Sequence, residues 1–266
     1  MVGRNIILWS IRSIYSRGLS AYAKLIFARI RLVYGRAFHL RSITSYYGPK
    51  FFSNFRDRTF RAYILGSYGD FYWKHLIEYP KPFIFLDIGA NQGLYSIGSQ
   101  KNPRVLATFS VEPVKITNDF LKKNIAINGL SDKVKIGQFA ISSSNDIVNI
   151  TVMKDHSGAS TLRSVDSQTI SGIQESIACI NRTGLSEFVG YTNVEVLVKI
   201  DVEGLEEVVI EEVLNSKFGP KVAEIYFEVD ENWINLQGTL DKLFKEGFIE
   251  FQKIGQGHHY DILAAR

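Results

Sequence analysis

Acidic residues directly follow three apolar runs of this chain, and the first of them is joined to a glycine-rich turn. Residues 85–93 read Phe-Leu-Asp-Ile-Gly-Ala-Asn-Gln-Gly, so Asp87 lies at the end of a predicted buried strand. Gly89 and Gly93 provide backbone freedom and lack side-chain bulk, which lets a ligand approach the main chain closely. This combination of an acid and a glycine turn is typical of a small-molecule site in an enzyme.

Two kinds of ligand are compatible with a glycine turn after a strand. A dinucleotide site has the pattern G-x-G-x-x-G, which places a pyrophosphate at a helix N-terminus. This chain has G-x-x-x-G, and Asn91 stands where the second glycine would be. A polar side chain at this position suits a ligand that has an amino acid moiety and no phosphate, because such a ligand needs polar groups more than it needs an anion site. In this respect the turn resembles the loop of S-adenosylmethionine-dependent methyltransferases. A nucleotide site, or a turn that merely joins strand to helix, is the alternative.

A second acid follows at the spacing of one short helix and one strand. Residues 105–111 form an apolar run that leads into Glu112, nineteen residues after Gly93. An acid at this position can accept hydrogen bonds from both hydroxyls of a ribose, and such charge-assisted bonds contribute about 1.5–3 kcal/mol each. We therefore expect Glu112 to bind a ribose, the alternative being that it only ends the strand.

The third apolar run, residues 196–200, ends in Asp201 and Glu203 just before a predicted helix. In an open parallel sheet, ligands bind outside the carboxyl ends of the strands. Asp87, Glu112, Asp201 and Glu203 are therefore expected to converge on one pocket. Alternatively, Asp201 or Glu203 caps the following helix, where a negative charge contributes roughly 0.3–1 kcal/mol. The sequence leaves both interpretations open.

Together these segments resemble the FkbM family of methyltransferases. The resemblance lies in Phe-Leu-Asp-Ile-Gly-Ala-Asn-Gln-Gly-Leu-Tyr-Ser at 85–96, Val-Glu-Pro at 111–113 and Lys-Ile-Asp-Val-Glu-Gly at 199–204, and residues 157–162 are also similar to a family feature. It covers about residues 82–265. The resemblance implies a Rossmann-like class I methyltransferase fold, S-adenosylmethionine as the methyl donor, and a hydroxyl of a sugar, polysaccharide or polyketide as the acceptor.

Cofactor binding is expected to involve the glycine turn, the ribose acid and the end of the third strand. The predicted residues are Asp87, Gly89, Ala90, Asn91, Gly93, Glu112, Gln138 and Ala140. Many methyltransferases carry an acid before the alanine that ends the third strand, where it accepts the adenine amine. This chain has Gln138-Phe139-Ala140 instead, so an adenine contact by Gln138 or by the backbone is a hypothesis.

Methyl transfer to a sugar hydroxyl requires help with the proton, because the hydroxyl is a poor nucleophile at neutral pH. A positioned carboxylate or His that takes this proton contributes roughly 10²–10⁴-fold. Asp201 is the predicted base and Glu203 the second candidate, while Lys199 is predicted to hold the acceptor or to orient Asp201. His156, in a predicted loop, is a further candidate base. The sequence has no metal motif of fixed spacing, so no metal is predicted.

The periodicity predicts an α/β fold with a mostly parallel sheet, seven-stranded by resemblance, with helices on both faces. Strands are predicted at 83–87, 105–111, 134–140, 148–153, 177–181, 194–200, 222–229, 249–254 and 260–264, and helices at 94–101, 114–128, 184–190, 204–216 and 238–247. The strand at 148–153 is predicted to be an antiparallel flap added to the sheet. Two prolines, Pro80 and Pro82, divide a basic, mainly helical extension (1–80) from the methyltransferase domain (81–266).

The charge distribution separates the first residues of the chain from the rest. Residues 1–56 contain ten Lys or Arg and no Asp or Glu, whereas the remainder has a net charge of −6. Apolar residues at steps of three and four, including Ile26, Ile30 and Val33, predict a helix with one apolar side. Charges interrupt every apolar run before it could cross a bilayer. This helix is expected to dock on the catalytic domain. One alternative is that it contacts anionic lipid or an acidic polymer, and another is that the segment is a targeting peptide that is removed.

Taken together, the sequence predicts an S-adenosylmethionine-dependent O-methyltransferase that acts on a glycan or glycolipid. The chain has a single cysteine, Cys179, so an internal disulfide is excluded, which is consistent with a reducing cytoplasm. The basic N-terminal segment adds the expectation of peripheral contact at the inner membrane surface. An RNA methyltransferase is one alternative, although the sequence has no Asn-Pro-Pro-Tyr-like tetrapeptide of amine methylation. A non-catalytic membrane-surface adaptor that retains a donor-binding core is another.

Overall fold

A computed structural model of the chain describes residues 22–153, 157, 172–202 and 204–266. The chain divides into two compact units, Met1–Asp70 and Phe71–Arg266. This division lies before Pro80 and Pro82. A helix at 70–78, which the sequence analysis counted with the N-terminal extension, belongs almost entirely to the second unit.

The first unit contains helices and a short hairpin. Helix α1 covers residues 22–37, strands β1 (Ser42–Thr44) and β2 (Lys50–Phe52) pair antiparallel, and helix α2 covers Arg58–Leu65. Asp57 caps α2, because its side chain accepts a hydrogen bond from the backbone of Phe60 at 2.7 Å. Ile26, Ile30 and Val33 of α1 are exposed.

Helices and strands alternate through the second unit, as the sequence predicts. Its helices are α3 (Asp70–Glu78), α4 (Leu94–Ser99), α5 (Lys115–Ile127), α6 (Arg182–Val189), α7 (Glu206–Leu214) and α8 (Leu236–Lys245), with a 3₁₀ turn at Gly219–Lys221. Its strands are β3 (Phe83–Ile88), β4 (Val105–Val111), β5 (Val134–Gly137), β6 (Ala140–Ile141), β7 (Ile147–Met153), β8 (Gly172–Ile180), β9 (Glu195–Ile200), β10 (Val222–Asp230), β11 (Glu250–Ile254) and β12 (His259–Ala265).

Seven of these strands form one sheet in the order β11-β12-β10-β9-β3-β4-β5. Only β12 runs antiparallel to its neighbours, so the predicted α/β fold with a mostly parallel sheet is confirmed. The central strands β3 and β9 are buried nearly throughout, which explains why both read as continuous apolar runs. Their carboxyl ends lie side by side, with Asp87 paired to Lys199 and Ile88 to Ile200.

A second, smaller sheet contains two segments that the sequence analysis had placed in the large sheet. The strand predicted at 134–140 ends at Gly137, and Ala140–Ile141 instead pairs with Cys179–Ile180 of β8. The predicted flap also belongs to this sheet, in the order β6-β8-β7, instead of extending the large one. Local periodicity identifies a strand but not its partner, because pairing is decided by residues far away in sequence.

Two glycines allow the loop after β3 to pack closely against the rest of the fold. Gly89 has φ +72°, and a Cβ atom there would lie 1.8 Å from the carbonyl oxygen of Asp201. Gly93 has φ +91°, and a Cβ atom there would lie 2.6 Å from Cδ1 of Leu121 in α5. The loop therefore contacts the end of β9 on one side and α5 on the other.

Helices long and apolar enough to span a membrane do not occur among the described residues.

The close approach at Gly89 predicts a large loss of stability on substitution. Gly89→Ala should lower the free energy of unfolding by about 3 kcal/mol or more, because it combines a positive φ with a clash against the main chain of Asp201. Gly129→Ala is the matched control, since Gly129 has φ +70° and open space around it, and should cost about 1 kcal/mol. Denaturant unfolding of both variants measures the difference. Equal losses would mean that the clash is relieved by local movement.

Candidate active site

A cleft lies at the carboxyl ends of the central strands of the large sheet. It encloses about 730 Å³, open solvent included, and is lined by Ile88, Gly89, Asn91, Val111, Glu112, Pro113, Val114, Phe139, Ala140, Ile141, Ile150, Ser157, Ile177, Asp201, Val202 and Leu205. Small-molecule sites have mostly apolar walls with a few placed polar groups. This cleft has that composition.

Glu112 is the buried acid of the cleft. Its Oε2 accepts a hydrogen bond from the backbone of Asn91 and its Oε1 from the backbone of Val114, both at 3.0 Å. Burial raises the pKa of Glu112 to about 7, although these two backbone donors act in the opposite direction. Each carboxylate oxygen retains a lone pair for a further donor. The group is therefore suited to bind hydroxyls of a ligand.

Lys199 lies beneath the loop and ties it to two strands. Its side chain is 4% exposed, and Nζ donates to the carbonyl oxygen of Gly89 at 2.7 Å. The same Nζ lies 3.3 Å from Oδ2 of Asp201 and 3.8 Å from Oδ1 of Asp87. Burial lowers the pKa of Lys199, but the carboxylates of Asp201 and Asp87 outweigh this and hold it above the ordinary value. Lys199 is thus a charged bridge between β3, the loop and the end of β9.

Asp87 is fully buried behind the loop and does not line the cleft. Its Oδ2 accepts a hydrogen bond from the hydroxyl of Ser96 at 2.5 Å, and Ser110 donates in turn to Ser96 at 2.8 Å. Burial raises the pKa of Asp87, while Lys199 and Ser96 lower it. Asp87 therefore reaches the cleft only through the groups that it positions.

Asp201 lines the cleft, with 23% of its side chain exposed. Its backbone N–H donates to the carbonyl oxygen of Ile88 at 3.1 Å, which extends the pairing of β3 and β9 beyond the strands. The cap residue of α7 is Leu205, which makes no side-chain cap bond. Glu206 instead accepts from the backbone of Val202 at 3.2 Å and of Gly204 at 3.0 Å. Asp201 is therefore not the cap of this helix.

The predicted site residues fall into four groups: those that line the cleft, those that support it, one that does neither, and those outside the described residues. Those that line the cleft are Gly89, Asn91, Glu112, Ala140 and Asp201. Those that support it from behind are Asp87, Ala90, Gly93 and Lys199, with the N–H of Ala90 donating to Val111 at 2.9 Å and that of Gly93 to Ala90 at 2.8 Å. Gln138 is exposed and does not line the cleft, whereas its neighbours Phe139 and Ala140 do. Glu203 and His156 lie outside the described residues.

Sequence reasoning missed the apolar wall of the cleft. Ile141, Ile150 and Ile177 come from the three strands of the smaller sheet and face the polar loop across the cleft. The alternation of apolar residues in β7 was a usable signal for Ile150. The other two could not be found, because nothing local indicates that their strands turn toward this site.

A serine outside the strands also reaches the loop. The hydroxyl of Ser157 donates to Oδ1 of Asn91 at 3.0 Å and accepts from Nε2 of Gln92 at 3.3 Å. The similarity at residues 157–162 was the available signal, and residues 158–162 lie outside the described residues. Ser157 fixes the side chains of the loop from the flap side.

The sequence analysis also missed a pair of polar residues near Asp201, namely Tyr226 and Asp261. Tyr226 of β10 donates from its hydroxyl to Oδ2 of Asp261 in β12 at 2.7 Å. Burial raises the pKa of Asp261 to about 6, the bond from Tyr226 lowers it, and the charge of Asp201 raises it further. His259 and Glu228 form the next pair along these strands, at 2.8 Å between Nε2 and Oε1. Polar groups thus continue from Asp201 toward β12.

Within the described ranges, no three or more His, Cys, Asp or Glu side chains are grouped so as to hold a metal ion.

Comparison with family models gives one match, the methyltransferase FkbM domain, at residues 87–253. This range covers more than half of the chain, from Asp87 in β3 to β11. No curated protein matches the chain.

Solved structures with similar folds share little sequence with this chain. An FkbM methyltransferase from Methylobacillus flagellatus KT has 9% identity and a TM-score of 0.48, over 68% of this chain and 42% of that one. A precorrin-6y C5,15-methyltransferase from Geobacter metallireducens has 13% identity and a TM-score of 0.42, over 73% and 86%. TrmK from M. capricolum, in complex with S-adenosylhomocysteine, has 13% identity and a TM-score of 0.43, over 74% and 67%.

The burial of Glu112 predicts a pH-dependent stability. Between the ordinary pKa of 4.5 and the folded value of about 7, the native state binds the extra proton, so stability falls as the pH rises through this window. The full effect is about 3 kcal/mol. Glu112→Gln should remove this part of the pH dependence, measured by denaturant unfolding at several pH values. The exposed Glu246→Gln is the control, and an unchanged profile in Glu112→Gln would contradict the assignment.

Proposed function

Since this chain belongs to the FkbM methyltransferase family, we propose that it methylates a hydroxyl oxygen, in a sugar of a polysaccharide, glycolipid or other glycoconjugate. The family shows that the protein is an S-adenosylmethionine-dependent methyltransferase. The acceptor and the atom that is methylated are the proposal. The observation that carries it is the carboxylate of Asp201, which reaches the cleft while ion-paired with Lys199 at 3.3 Å.

The chemistry of the cleft fits S-adenosylmethionine. The donor has two ribose hydroxyls, a flat adenine ring and a net positive charge on its sulfonium and amino acid parts. The cleft has one carboxylate anchored by two backbone donors, an apolar wall of three isoleucines, and acids that outnumber the one buried ammonium. Each part of the donor therefore has a matching group.

For the donor, we assign the ribose to Glu112, since its carboxylate is already oriented by the backbone of Asn91 and Val114. The ring is assigned to the wall of Ile141, Ile150 and Ile177, whose apolar surface excludes water from it. A polar contact from Gln138 is not needed for this arrangement. Gly89 and Asn91 of the glycine loop line the cleft and are assigned to the amino acid part.

For the acceptor, bound S-adenosylmethionine would supply an electrophilic methyl group, the acceptor hydroxyl would supply the oxygen nucleophile, and the protein must remove the proton of that hydroxyl. Asp201 accepts the proton of the acceptor hydroxyl as that oxygen becomes nucleophilic, which contributes roughly 10²–10⁴-fold. Lys199 holds the carboxylate in place, and its bond to Gly89 links the position of Asp201 to that of the loop. Lys199 is 4% exposed, so it acts as a positioning residue and does not touch the acceptor.

Charge favours a neutral, hydroxyl-rich acceptor over a nucleic acid. Carboxylates of Asp201, Glu228 and Asp261 follow one another at the ends of β9, β10 and β12, and carboxylates accept hydrogen bonds from sugar hydroxyls. The same carboxylates repel phosphates. Residues 57–266 carry a net charge of −6, which also disfavours tight binding of RNA by this part of the chain.

The direct test is to incubate the full chain with S-adenosylmethionine labelled at the methyl group and with polysaccharide, lipid and RNA fractions of a cell lysate. Label is expected in the glycan or glycolipid fraction and should resist alkaline hydrolysis, because an ether is stable to base and an ester is not. Label in RNA, or base-labile label, would contradict the proposal. Donor binding without transfer to any fraction would favour the adaptor alternative.

Asp201→Asn separates the base from the donor site. The variant keeps the size of the side chain but cannot accept the proton, so turnover should fall at least about 10²-fold while donor affinity changes by only a few-fold. Asp132→Asn, at an exposed position, is the control and should have normal activity. Calorimetry and a methyl-transfer assay provide the two readouts. Normal turnover of Asp201→Asn would exclude this residue as the base.

Donor affinity should depend on the ionisation of Glu112. Hydroxyls donate best to the ionised carboxylate, so affinity should rise with pH and level off above the pKa of about 7. At pH 6 the donor should bind about tenfold more weakly than at pH 8. Glu112→Gln should bind weakly at both values and lose this dependence. Calorimetry across the range checks it, and a wild-type affinity that is flat with pH would remove Glu112 from ribose binding.

A further inference from the structure

Helix α1 of the first unit has two apolar sides, of which one is packed and the other is exposed. Leu25 and Ala28 are buried, and Gly35 lies so close to Ile43 of β1 that a Cβ atom would be 2.4 Å from Cδ1 of that residue. The exposed side, here called the apolar stripe, consists of residues that are 40–70% exposed: Ile26, Phe27, Ile30, Val33 and Tyr34. The stripe includes Ile26, Ile30 and Val33, which the sequence analysis placed on the apolar side of this helix.

The apolar stripe is continuous along the helix. At about 100° per residue, its five members cover roughly 120° of the helix circumference, and the packed residues Leu25 and Ala28 lie on the opposite side. Phe38 and Leu40, which directly follow α1, are also exposed and extend the apolar surface. A stripe of this width is what an amphipathic helix buries against a partner.

Basic residues border the stripe on both sides. On the helix circumference, Lys24 and Arg31 lie between the stripe and the packed side along one edge, and Arg29 and Arg36 lie along the other. No acidic residue occurs in residues 1–56. The exposed surface of α1 is thus apolar along its middle and positive along both edges.

We propose that α1 binds the surface of an anionic lipid bilayer, with the apolar stripe inserted and the helix axis parallel to the membrane. Insertion removes the stripe from water, and the exposed Lys24 on one edge and Arg36 on the other extend their charged ends to the lipid phosphates. The guanidinium of Arg31 instead donates to the carbonyl oxygen of Thr44 at 3.2 Å. Each Lys or Arg near an anionic surface increases the affinity about fivefold. The proposal is independent of the acceptor assigned above, since it involves only the first unit.

Charge argues against a second copy of the chain as the occupant. A symmetric dimer through the stripe would bring the basic edges of two helices together without any acid from residues 1–56 to neutralise them. A bilayer with anionic headgroups supplies negative charge along both edges. The membrane is therefore the partner that satisfies the apolar and the charged parts of this surface at once.

The test is co-sedimentation of the full chain with vesicles of phosphatidylcholine alone and of phosphatidylcholine with one third phosphatidylglycerol, at low and high salt. Binding is expected to the anionic vesicles, weakening with salt as the charges are screened. Absence of binding to anionic vesicles at low salt would overturn the proposal. Equal binding to both vesicle types would overturn the role of the basic edges.

A matched pair of double variants tests the stripe itself. Phe27→Gln with Ile30→Gln changes two residues of the stripe that are 60% and 56% exposed. Phe244→Gln with Ile249→Gln changes the same residue types at 64% and 68% exposure in the second unit. The first variant should lose at least about tenfold in vesicle affinity, and the second should bind like the wild type. Equal losses in both would contradict the proposal.

The basic edges require their own variant. Lys24→Gln with Arg36→Gln should lower affinity for anionic vesicles about thirtyfold and leave the weak binding to neutral vesicles unchanged. The far-ultraviolet circular dichroism of every variant should match that of the wild type, which demonstrates that the first unit is folded, and affinity for S-adenosylmethionine should be unaffected, which demonstrates that the second unit is folded. Light scattering of the wild type without lipid should report a monomer. A dimer that dissociates in the stripe variant would assign the stripe to a second copy and overturn the membrane proposal.

Discussion

The buried ammonium of Lys199 is the interaction on which the active site depends. It joins two segments of the chain, residues 87–89 and 199–201, because it donates to the carbonyl of Gly89 and lies between the carboxylates of Asp87 and Asp201. Without it, two carboxylates and one carbonyl would lose a shared partner in a site with little water, and breaking a buried pair costs about 3–5 kcal/mol. The glycine loop has its position because this charge is compensated from both sides. Substrate chemistry and fold stability are therefore linked at one residue.

The cleft combines two sheets with different tasks. The large parallel sheet supplies the polar groups that line the cleft, since Glu112 follows β4 and Asp201 follows β9. The smaller sheet supplies the apolar wall of Ile141, Ile150 and Ile177. Within this cleft, Glu112 is only 6% exposed. The raised pKa of Glu112, about 7, is a direct result of this burial. A carboxylate at the end of an open strand would be charged over the whole physiological range.

The two units of the chain differ in charge, and the two proposals assign them different partners. The first unit contains the basic segment and the exposed stripe of α1, which match an anionic lipid surface. The second unit contains the donor cleft and a series of carboxylates, which match an uncharged polyhydroxyl acceptor. A glycolipid combines both chemistries in one molecule, because its sugar is held at a membrane surface. Restriction to that surface would raise the effective concentration of acceptor for a membrane-bound enzyme.

The sequence by itself determined the α/β fold, the order of its main elements and three of the acids that matter. Asp87, Glu112 and Asp201 each follow an apolar strand, and the carboxyl ends of parallel strands share one edge of a sheet. Only the tertiary structure decided their roles: Asp87 is buried behind the loop, whereas Glu112 and Asp201 reach the cleft. Tertiary structure also brought Ser157 to the site. Periodicity shows that a strand or helix has an apolar side, but contacts between residues far apart in sequence decide what covers it.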